Sequence, residues 1–264
     1  MAELRGVAGS GRLIAGGTDL VVQIRAGRGV SRLIDLTNVN DAPPPVVVSD
    51  STIEISAIAP ITSVVSALAG RLPGIAAAAR LFGSVQIRNR ATFGGNLANA
   101  SPAGDLIPPL IALEAQAVIE GREGGRVVPV AELATGPGRT VLAADEWISL
   151  VRVPVHVGDE GFMKLGGRSA MAISVVSLAW RWTRREDGTL TGVRLALGAV
   201  APTVLRMTEA EEVLEGRKPT SYVADEAAQA IRSATAPIDD VRASAWYRRE
   251  VAGDLLKQAL AGQG

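Results

Sequence analysis

Two glycine pairs, each followed by polar side chains, are the part of this sequence best suited to chemistry. They lie in Ala15-Gly16-Gly17-Thr18-Asp19 and in Thr92-Phe93-Gly94-Gly95-Asn96. Glycine permits a positive φ and a close approach of ligand to backbone, and successive backbone N–H groups in such a turn form a concave anion site. Each hydrogen bond to a charged group contributes roughly 1.5–3 kcal/mol. Several amides could therefore hold a pyrophosphate without Lys or Arg, although ordinary turns are the alternative reading of both pairs.

Other nucleotide-binding and catalytic signatures are missing from the sequence. Gly9-Ser10-Gly11 is followed by Ile14 where a dinucleotide fingerprint needs a third glycine, and no glycine-rich loop ends in Gly-Lys-Ser/Thr. The chain has no cysteine and one histidine, His156. Thiol catalysis, cysteine-ligated iron–sulfur clusters and cysteine-type zinc sites are thereby excluded on this chain. No acid–base pair or nucleophile indicates bond-making chemistry.

The composition indicates a folded protein with no general affinity for polyanions. Of the 264 residues 47% are hydrophobic, which is enough for a sizeable core. Lys+Arg and Asp+Glu are both 27, so no basic field would attract nucleic acid or acidic membranes. Aromatic residues make up only 3%, which argues against base stacking. With no apolar leader at the N-terminus and no long uninterrupted apolar run, we expect a cytoplasmic protein without a membrane span.

Short elements must position the two glycine pairs. The first 40 residues predict a strand, a glycine turn, a helix over Leu20–Arg25 and a strand over Arg32–Leu36, which is a small α/β unit. Further along, we expect a strand at 52–58, two helices within 61–82, a turn-rich stretch at 84–105, a helix at 105–114, a hairpin of 115–120 with 126–130, and a strand at 147–155.

The last third of the sequence changes character. Two β-rich runs at 171–183 and 193–200 are followed by three helical segments, and we expect a domain boundary near residue 157. The first helical segment begins with Thr208-Glu209-Ala210-Glu211, which has the pattern of a capping box, and Gly216 suits its C-terminal end. Trp246, Tyr247 and the arginines after them are expected to pack and cap the last helix.

The order of these motifs resembles the FAD-binding medium subunit of molybdenum hydroxylases, a family that includes the flavin subunits of xanthine dehydrogenase and aerobic carbon monoxide dehydrogenase. The resemblance is carried by the first glycine motif extended to Leu20, by Ile87–Leu97 and by Ser101-Pro102-Ala103-Gly104-Asp105. It continues through 146–154, 162–165 and 172–174 and ends in 242–248, so that it covers nearly the whole chain.

The resemblance implies an α+β fold of two domains. Residues 1–157 would form a two-lobed PCMH-type FAD-binding domain, with lobes of roughly 1–50 and 51–157 and FAD extended between them. Residues 158–264 would form a small C-terminal flavoprotein domain, consisting of a three-stranded antiparallel sheet and a three-helix bundle.

The resemblance also implies roles for individual residues. The first loop would wrap the diphosphate, and the second would form another phosphate-side loop. Phe82 would lie beside the flavin ring, and Ile148 at the adenine side or the ring side of the cofactor. Asp105 would contact the cofactor's polar chain, and Lys164 would lie near the flavin, where a cation favours the reduced, anionic ring. The alternative roles, which need no cofactor, are a place in the core for Phe82, a helix N-cap for Asp105 and a solvated side chain for Lys164. The full set of expected FAD contacts is Leu13, Ile14, Ala15, Gly16, Gly17, Thr18, Asp19, Leu20, Phe82, Thr92, Phe93, Gly94, Gly95, Asn96, Ser101, Asp105, Ile148 and Lys164.

The function implied by the resemblance is electron transfer within a larger enzyme. Substrate would react at a molybdenum cofactor in a large subunit, and two [2Fe–2S] clusters in a small subunit would pass electrons to FAD on this chain and then to an external acceptor. The absence of cysteine places the clusters on a partner, in a heterotrimer or a dimer of heterotrimers. A self-contained FAD oxidoreductase and a degenerate scaffold subunit without flavin are the alternatives.

Overall fold

A computed structural model of the chain describes residues 9–37, 43–68, 70–168 and 171–262, which form a mixed α/β structure as predicted. In chain order the elements are β1 (Arg12–Ile14), α1 (Leu20–Arg25), β2 (Leu33–Asp35), β3 (Val46–Val48), β4 (Thr52–Ser56), α2 (Ile61–Leu68), α3 (Pro73–Leu81), α4 (Val85–Arg88), α5 (Phe93–Asn99), α6 (Ile107–Ala112), β5 (Gln116–Gly121), β6 (Gly124–Pro129), α7 (Val130–Leu133), β7 (Ala134–Gly136), β8 (Arg139–Thr140), β9 (Trp147–Pro154), β10 (Asp159–Gly166), β11 (Ser174–Arg184), β12 (Leu190–Gly198), β13 (Leu205–Arg206), α8 (Thr208–Leu214), α9 (Ser221–Ala234) and α10 (Ala245–Ala261).

Contacts divide the chain into two compact units, each of which is made of three separate segments of the sequence. The first unit consists of Met1–Ala69, Gly83–Ser101 and Glu114–Val155. The second consists of Gly70–Phe82, Pro102–Leu113 and His156–Gly264. Two segments that precede residue 157 therefore belong to the same unit as the C-terminal part of the chain.

The first unit contains two sheets. β1 and β2 pair in parallel with α1 between them, which confirms the small α/β unit predicted around the first glycine pair. The larger sheet is antiparallel, in the order β3-β4-β9-β5-β6, with α5 packed on β9 and β4. Because β3 pairs with β4, the expected limit between the lobes at residue 50 falls inside a hairpin of this sheet.

The stretch at 84–105, predicted to be rich in turns, instead contains α4 and α5. Two hydroxyls explain why these short helices form. Ser84 Oγ accepts a hydrogen bond from the Ile87 amide at 3.3 Å, and Thr92 Oγ1 accepts one from the Gly95 amide at 3.0 Å. Such N-caps satisfy amide groups that a helix start leaves free. Phe93 and Leu97, one turn apart in α5, are then both buried in the core.

The second unit has an antiparallel sheet in the order β10-β11-β12-β13, one short strand more than the three predicted. β11 begins at Ser174 rather than at 171. α8 packs on β12 and α10 on β11, while α9 packs against both helices. The Trp180 indole lies where a Cβ on Gly161 would be, so this glycine allows β10 to pair with β11 at that point.

Two predictions for the C-terminal helices are wrong. Thr208 is the first residue of α8 rather than its N-cap, and the Glu211 carboxylate, instead of closing a capping box, accepts hydrogen bonds from the Leu195 amide and from Arg206. Trp246 and Tyr247 are 66% and 42% exposed, so they do not form the packed end of α10, whereas Arg248, one of the arginines expected there, is buried. Ser244 caps that helix instead.

Candidate functional site

The two glycine motifs, far apart in the sequence, lie against each other in the first unit. A Cβ on Gly16 would overlap the carbonyl oxygen of Arg90, just before the second motif. A Cβ on Gly94 would lie 2.7 Å from the Ala57 Cβ, closer than side-chain atoms approach in practice. Both glycines are therefore required by backbone packing, and this packing joins the two motifs into one site.

The first motif presents free backbone N–H groups. Gly17 has a φ of +70°, the left-handed conformation that turns successive amides toward one side. The amides of Gly16, Gly17, Thr18 and Asp19 have no acceptor within the described parts of the chain. Partial burial raises the pKa of the Asp19 carboxyl above its ordinary value. We call this run of four amides, at Gly16–Asp19, the amide nest, and it has the form of an anion site.

The second motif is the first turn of helix α5 rather than a loop, and three of its amides are already in use. Gly94 N–H donates to the Ala57 carbonyl at 2.8 Å, Gly95 N–H to Thr92 Oγ1 at 3.0 Å and Asn96 N–H to the Thr92 carbonyl at 3.0 Å. What this motif offers a ligand is therefore a surface without side chains rather than a set of free donors.

Residues of both motifs line a cavity of about 250 Å³ within the first unit: Ala15, next to the amide nest, from the first motif, and three residues from the second. Gly16, Gly17, Thr18 and Asp19 are not part of its lining. Six of the predicted residues line it, namely Leu13, Ala15, Thr92, Gly94, Gly95 and Ile148. The other lining residues were not predicted from the sequence; they are Gly11, Arg12, Leu36, Ala57, Ile58, Ala98, Thr140, Leu142, Ala143, Ala144, Glu146 and Trp147. The segment 140–147 carries no motif that could have revealed it, whereas Trp147 precedes the predicted Ile148 in the same strand.

Two buried polar atoms near these motifs have no partner among the described residues. One is the indole Nε1 of Trp147, a residue that lines the cavity, and the other is Oδ1 of Asn96 in α5. Buried indole N–H groups and amide oxygens normally find a hydrogen-bond partner. An indole donor without an acceptor, together with the amide nest, fits a ligand that brings several acceptor oxygens. FAD, with its diphosphate and sugar oxygens, is such a ligand.

The remaining predicted residues of the first unit differ in their burial and in their position relative to the cavity. Phe93 is fully buried in the core. Ile14 packs against Gly17, since a Cβ on that glycine would lie 3.2 Å from Ile14 Cδ1. Thr18, Leu20 and Ser101 are partly exposed, and none of the three lines the cavity. The side chain of Phe93 therefore supports the site from the core side.

Asp105 and Lys164, both in the second unit, form a buried ion pair. Their side chains are 8% and 6% exposed, and Lys164 Nζ lies 2.6 Å from Asp105 Oδ2. The ammonium group also donates to the carbonyls of Leu81 at 2.9 Å and Ala172 at 3.0 Å, so all three of its N–H bonds have partners. Ser174 Oγ donates to Asp105 Oδ1 at 2.6 Å. Burial raises the pKa of Asp105, and the Lys164 charge opposes this.

These contacts exclude two of the alternative roles, namely the helix N-cap for Asp105 and the solvated side chain for Lys164. Asp105 does not cap α6, whose N-cap is Leu106 with no side-chain hydrogen bond. Lys164 is not solvated. Phe82 lies directly after α3 in the second unit and is half-buried rather than enclosed in the core. Ser174 belongs to a segment that carried the resemblance, but its bond to Asp105 could not be foreseen from the sequence.

Some classes of site are absent from the described residues. In those ranges no group of three or more His, Asp or Glu side chains is arranged to hold a metal ion. No helix there is long and apolar enough to cross a membrane.

Comparison with known proteins gives two family matches that together span most of the chain. Residues 1–156 match the model of the FAD binding domain in molybdopterin dehydrogenase. Residues 162–262 match that of the CO dehydrogenase flavoprotein C-terminal domain.

Individual relatives agree with these matches. The chain is 32% identical to the carbon monoxide dehydrogenase medium chain of Hydrogenophaga pseudoflava, over 98% of this chain and 91% of that one. It is 29% identical to the xanthine dehydrogenase FAD-binding subunit of Escherichia coli O157:H7, over 94% and 87% of the two chains. A solved structure of carbon monoxide dehydrogenase from Hydrogenophaga pseudoflava, lacking the Mo-pyranopterin moiety of its cofactor, superposes with a TM-score of 0.91, covering 98% of this chain and 91% of that one at 32% identity.

Proposed function

Since the chain belongs to the family of FAD-binding domains in molybdopterin dehydrogenases, as the order of its motifs predicted, we propose that it is the FAD-carrying, electron-transfer subunit of a molybdenum hydroxylase. In this proposal a large subunit holds the molybdenum cofactor, and a small subunit holds two [2Fe–2S] clusters that reduce the FAD. The three subunits form a heterotrimer or a dimer of heterotrimers. The observation that carries the proposal is the amide nest beside a cavity whose lining includes a buried indole N–H without an acceptor.

The amide nest would hold the FAD diphosphate. Four backbone N–H groups without acceptors supply donors in a fixed arrangement, so no Lys or Arg is needed to neutralise the anion. The Thr18 hydroxyl is a further donor on the same segment. Gly94 and Gly95 let the cofactor approach the backbone of α5 closely, and Leu13 and Ile148 add apolar wall. Trp147 Nε1 would donate to one of the ligand's oxygens or ring nitrogens.

The cavity accounts for part of the cofactor only. Its volume of about 250 Å³ is below the roughly 300–1,000 Å³ of pockets that enclose a drug-sized ligand. The resemblance assigns Phe82 and Lys164 to the surroundings of the flavin ring and Asp105 to the polar chain of the cofactor. Within this proposal residues 1–157 are the FAD-binding domain and residues 158–264 the C-terminal domain, and the limits of the two family matches support that division.

FAD held by these residues would supply redox chemistry between an iron–sulfur donor and an external acceptor. The contribution of this chain is to bind the cofactor, orient it and exclude water from it. No acid–base step is assigned to any residue of this chain.

The test is the flavin content of the purified full-length chain, together with any subunits that co-purify. We expect one FAD per chain, released on denaturation. Ala98→Leu should fill the cavity from an exposed helix position and weaken FAD binding roughly 10- to 100-fold, as expected for overpacking of a binding site. Ala67→Leu, at an exposed position of α2 that does not line the cavity, is the matched control.

The outcomes separate the three functions considered. Preparations without flavin that still assemble with partners would favour the scaffold function and refute the proposal. FAD on a chain that oxidises a substrate by itself and recruits no partner would favour a self-contained oxidoreductase.

A further inference from the structure

One side of the cavity in the first unit is formed by a stretch of chain without regular secondary structure. This stretch, residues 141–146, joins β8 to β9, and we call it the wall segment. Four cavity-lining residues belong to it, namely Leu142, Ala143, Ala144 and Glu146. The strand that follows begins with Trp147, whose buried indole N–H has no acceptor among the described residues. The shape of the cavity and the position of this donor therefore depend on what holds the wall segment in place.

Arg126, on the edge strand β6, binds both ends of the wall segment. At the start of the segment, Arg126 Nη2 donates to the Val141 carbonyl at 2.9 Å. At its end, Arg126 Nε and Nη2 donate to Oε1 and Oε2 of Glu146, each at 2.8 Å. A guanidinium group suits this bidentate contact because its N–H groups point in fixed directions. A single side chain thus fixes the start of the segment relative to its end.

Glu146 carries this constraint into the interior of the wall segment. Its Oε2 also accepts a hydrogen bond from the Ala143 amide at 2.8 Å, and its own amide donates to the Ala143 carbonyl at 3.1 Å. The hydrogen bonds from Arg126 lower the pKa of the Glu146 carboxyl, which favours the charged form that they require. On the intervening strand β5, Gly121 leaves room for this side chain, since a Cβ there would lie 3.2 Å from Glu146 Cγ.

The exposure of the ion pair limits what it contributes to global stability. The side chains of Arg126 and Glu146 are 42% and 18% exposed, and exposed ion pairs add little to the free energy of unfolding. The bidentate geometry and the additional bond to Val141 provide a directional constraint instead. Loss of Arg126 should therefore release the wall segment locally while the strands on either side stay folded.

We propose that Arg126 is a positioning residue for the cofactor, which sets the affinity for FAD by keeping the wall segment and Trp147 in the binding arrangement. This inference rests on the proposed function. Arg126 itself does not line the cavity, so its effect must pass through the wall segment. If its loss left the segment correctly placed in about one molecule in ten, the apparent Kd for FAD would rise roughly tenfold.

The test compares variants of the flavin-free, full-length chain. FAD is titrated into each one, with quenching of flavin fluorescence reporting the Kd. Hydrogen–deuterium exchange of the wall-segment amides and the melting temperature are measured without FAD. Arg126→Met removes all the donors but keeps an apolar stem, whereas Arg126→Lys keeps the charge without the planar fork. Arg71→Met, at an exposed position outside the cavity lining, is the matched control.

We expect Arg126→Met to raise the Kd for FAD and the exchange rates of the wall segment by similar factors, each roughly tenfold. The melting temperature should fall by no more than about 3 °C, as for loss of an exposed ion pair. Arg126→Lys should bind FAD more tightly than Arg126→Met, because it can still pair with Glu146. Arg71→Met should match the wild type in all three measurements.

The results separate failure of the inference from failure of the proposed function. If the wild type binds FAD and Arg126→Met binds it within about twofold of the same Kd, the inference is wrong while the proposed function stands. The inference is also wrong if Arg126→Met raises exchange throughout the first unit, since Arg126 would then have a general structural role. If the wild type binds no FAD, the proposed function fails, and the role of Arg126 toward the cofactor fails with it, even where exchange of the wall segment rises.

Discussion

Removing one member of the buried Asp105–Lys164 pair should destabilise the second unit far more than removing both. The two side chains are 8% and 6% exposed, and their charged atoms are 2.6 Å apart. Asp105→Asn leaves a buried ammonium without its counter-charge, and Lys164→Met leaves a buried carboxylate without its own. Breaking a buried pair in this way typically costs about 3–5 kcal/mol. Because 1 kcal/mol corresponds to about 2–4 °C in chains of this size, each single variant should melt roughly 6–20 °C below the wild type.

The double variant should recover much of that loss. Replacing both members of a buried pair by neutral side chains removes the cost of burying charge as well as the attraction, and the result is often near neutral. Asn at 105 can still accept from Ser174, which donates to that side chain at 2.6 Å in the wild type. We expect the double variant to be more stable than either single variant, with a coupling of at least about 2 kcal/mol.

The assay is thermal unfolding of the flavin-free, full-length chain, followed by far-UV circular dichroism at pH 7.5. Lys164→Met provides an internal check, since burial already raises the pKa of Asp105. The difference in stability between Lys164→Met and the wild type should become smaller as the pH is lowered, because the unpaired Asp105 carboxyl can then take up a proton. Additive single-variant effects, or single variants that melt like the wild type, would refute the assignment of a buried, mutually dependent pair.

Three further predictions concern single residues. Gly16→Ala should abolish FAD binding and lower the melting temperature, measured by flavin content and circular dichroism, because its Cβ would overlap the Arg90 carbonyl; normal flavin content would contradict this. Arg248→Met should cost about 1–3 kcal/mol in urea unfolding, since this buried guanidinium donates to the Val175 carbonyl and to Asp240; a loss below about 0.5 kcal/mol would argue otherwise. The Arg242 amide and Arg248 lower the pKa of Asp240, so its stabilising effect is present above the ordinary value of 3.8 and is lost as the pH falls through the folded pKa. The melting-temperature gap between wild type and Asp240→Asn should therefore be constant from pH 7 to 5 and narrow towards pH 3, and a gap that widens on acidification would be the opposite result.

The parts of the fold that the sequence predicted are those in which local pattern and tertiary structure agree. The strand at 147–155 alternates between buried and less buried positions, and β9 occupies Trp147–Pro154. The turn-rich prediction for 84–105 failed because glycine and asparagine normally break helices, whereas Thr92 caps α5 through the Gly95 amide and overrides that tendency. Propensity alone cannot show that a nearby hydroxyl will cap a helix.

The candidate site was predictable where a residue type is demanded by backbone geometry. Gly16 and Gly94 were predicted to belong to the site because they are glycines in two Gly-Gly motifs, and backbone packing explains why neither position can carry a side chain. The wall at 140–147 was not predictable, because a turn contributes to a cavity only through its place in the fold. The hydrogen-bond acceptors of Lys164 could not be predicted for the same reason, since two of them are the backbone carbonyls of Leu81 and Ala172, which any residue type could supply.

The central claim is that this chain holds the diphosphate of FAD at the amide nest. A crystal structure of the full-length chain loaded with FAD tests it most directly. We predict diphosphate oxygens within hydrogen-bond distance of the backbone N–H groups of Gly16–Asp19, about 2.7–3.2 Å from nitrogen to oxygen, with the cofactor entering the cavity beside Gly94 and Gly95. A structure in which those four amides contact water, and the diphosphate binds elsewhere, would contradict the account.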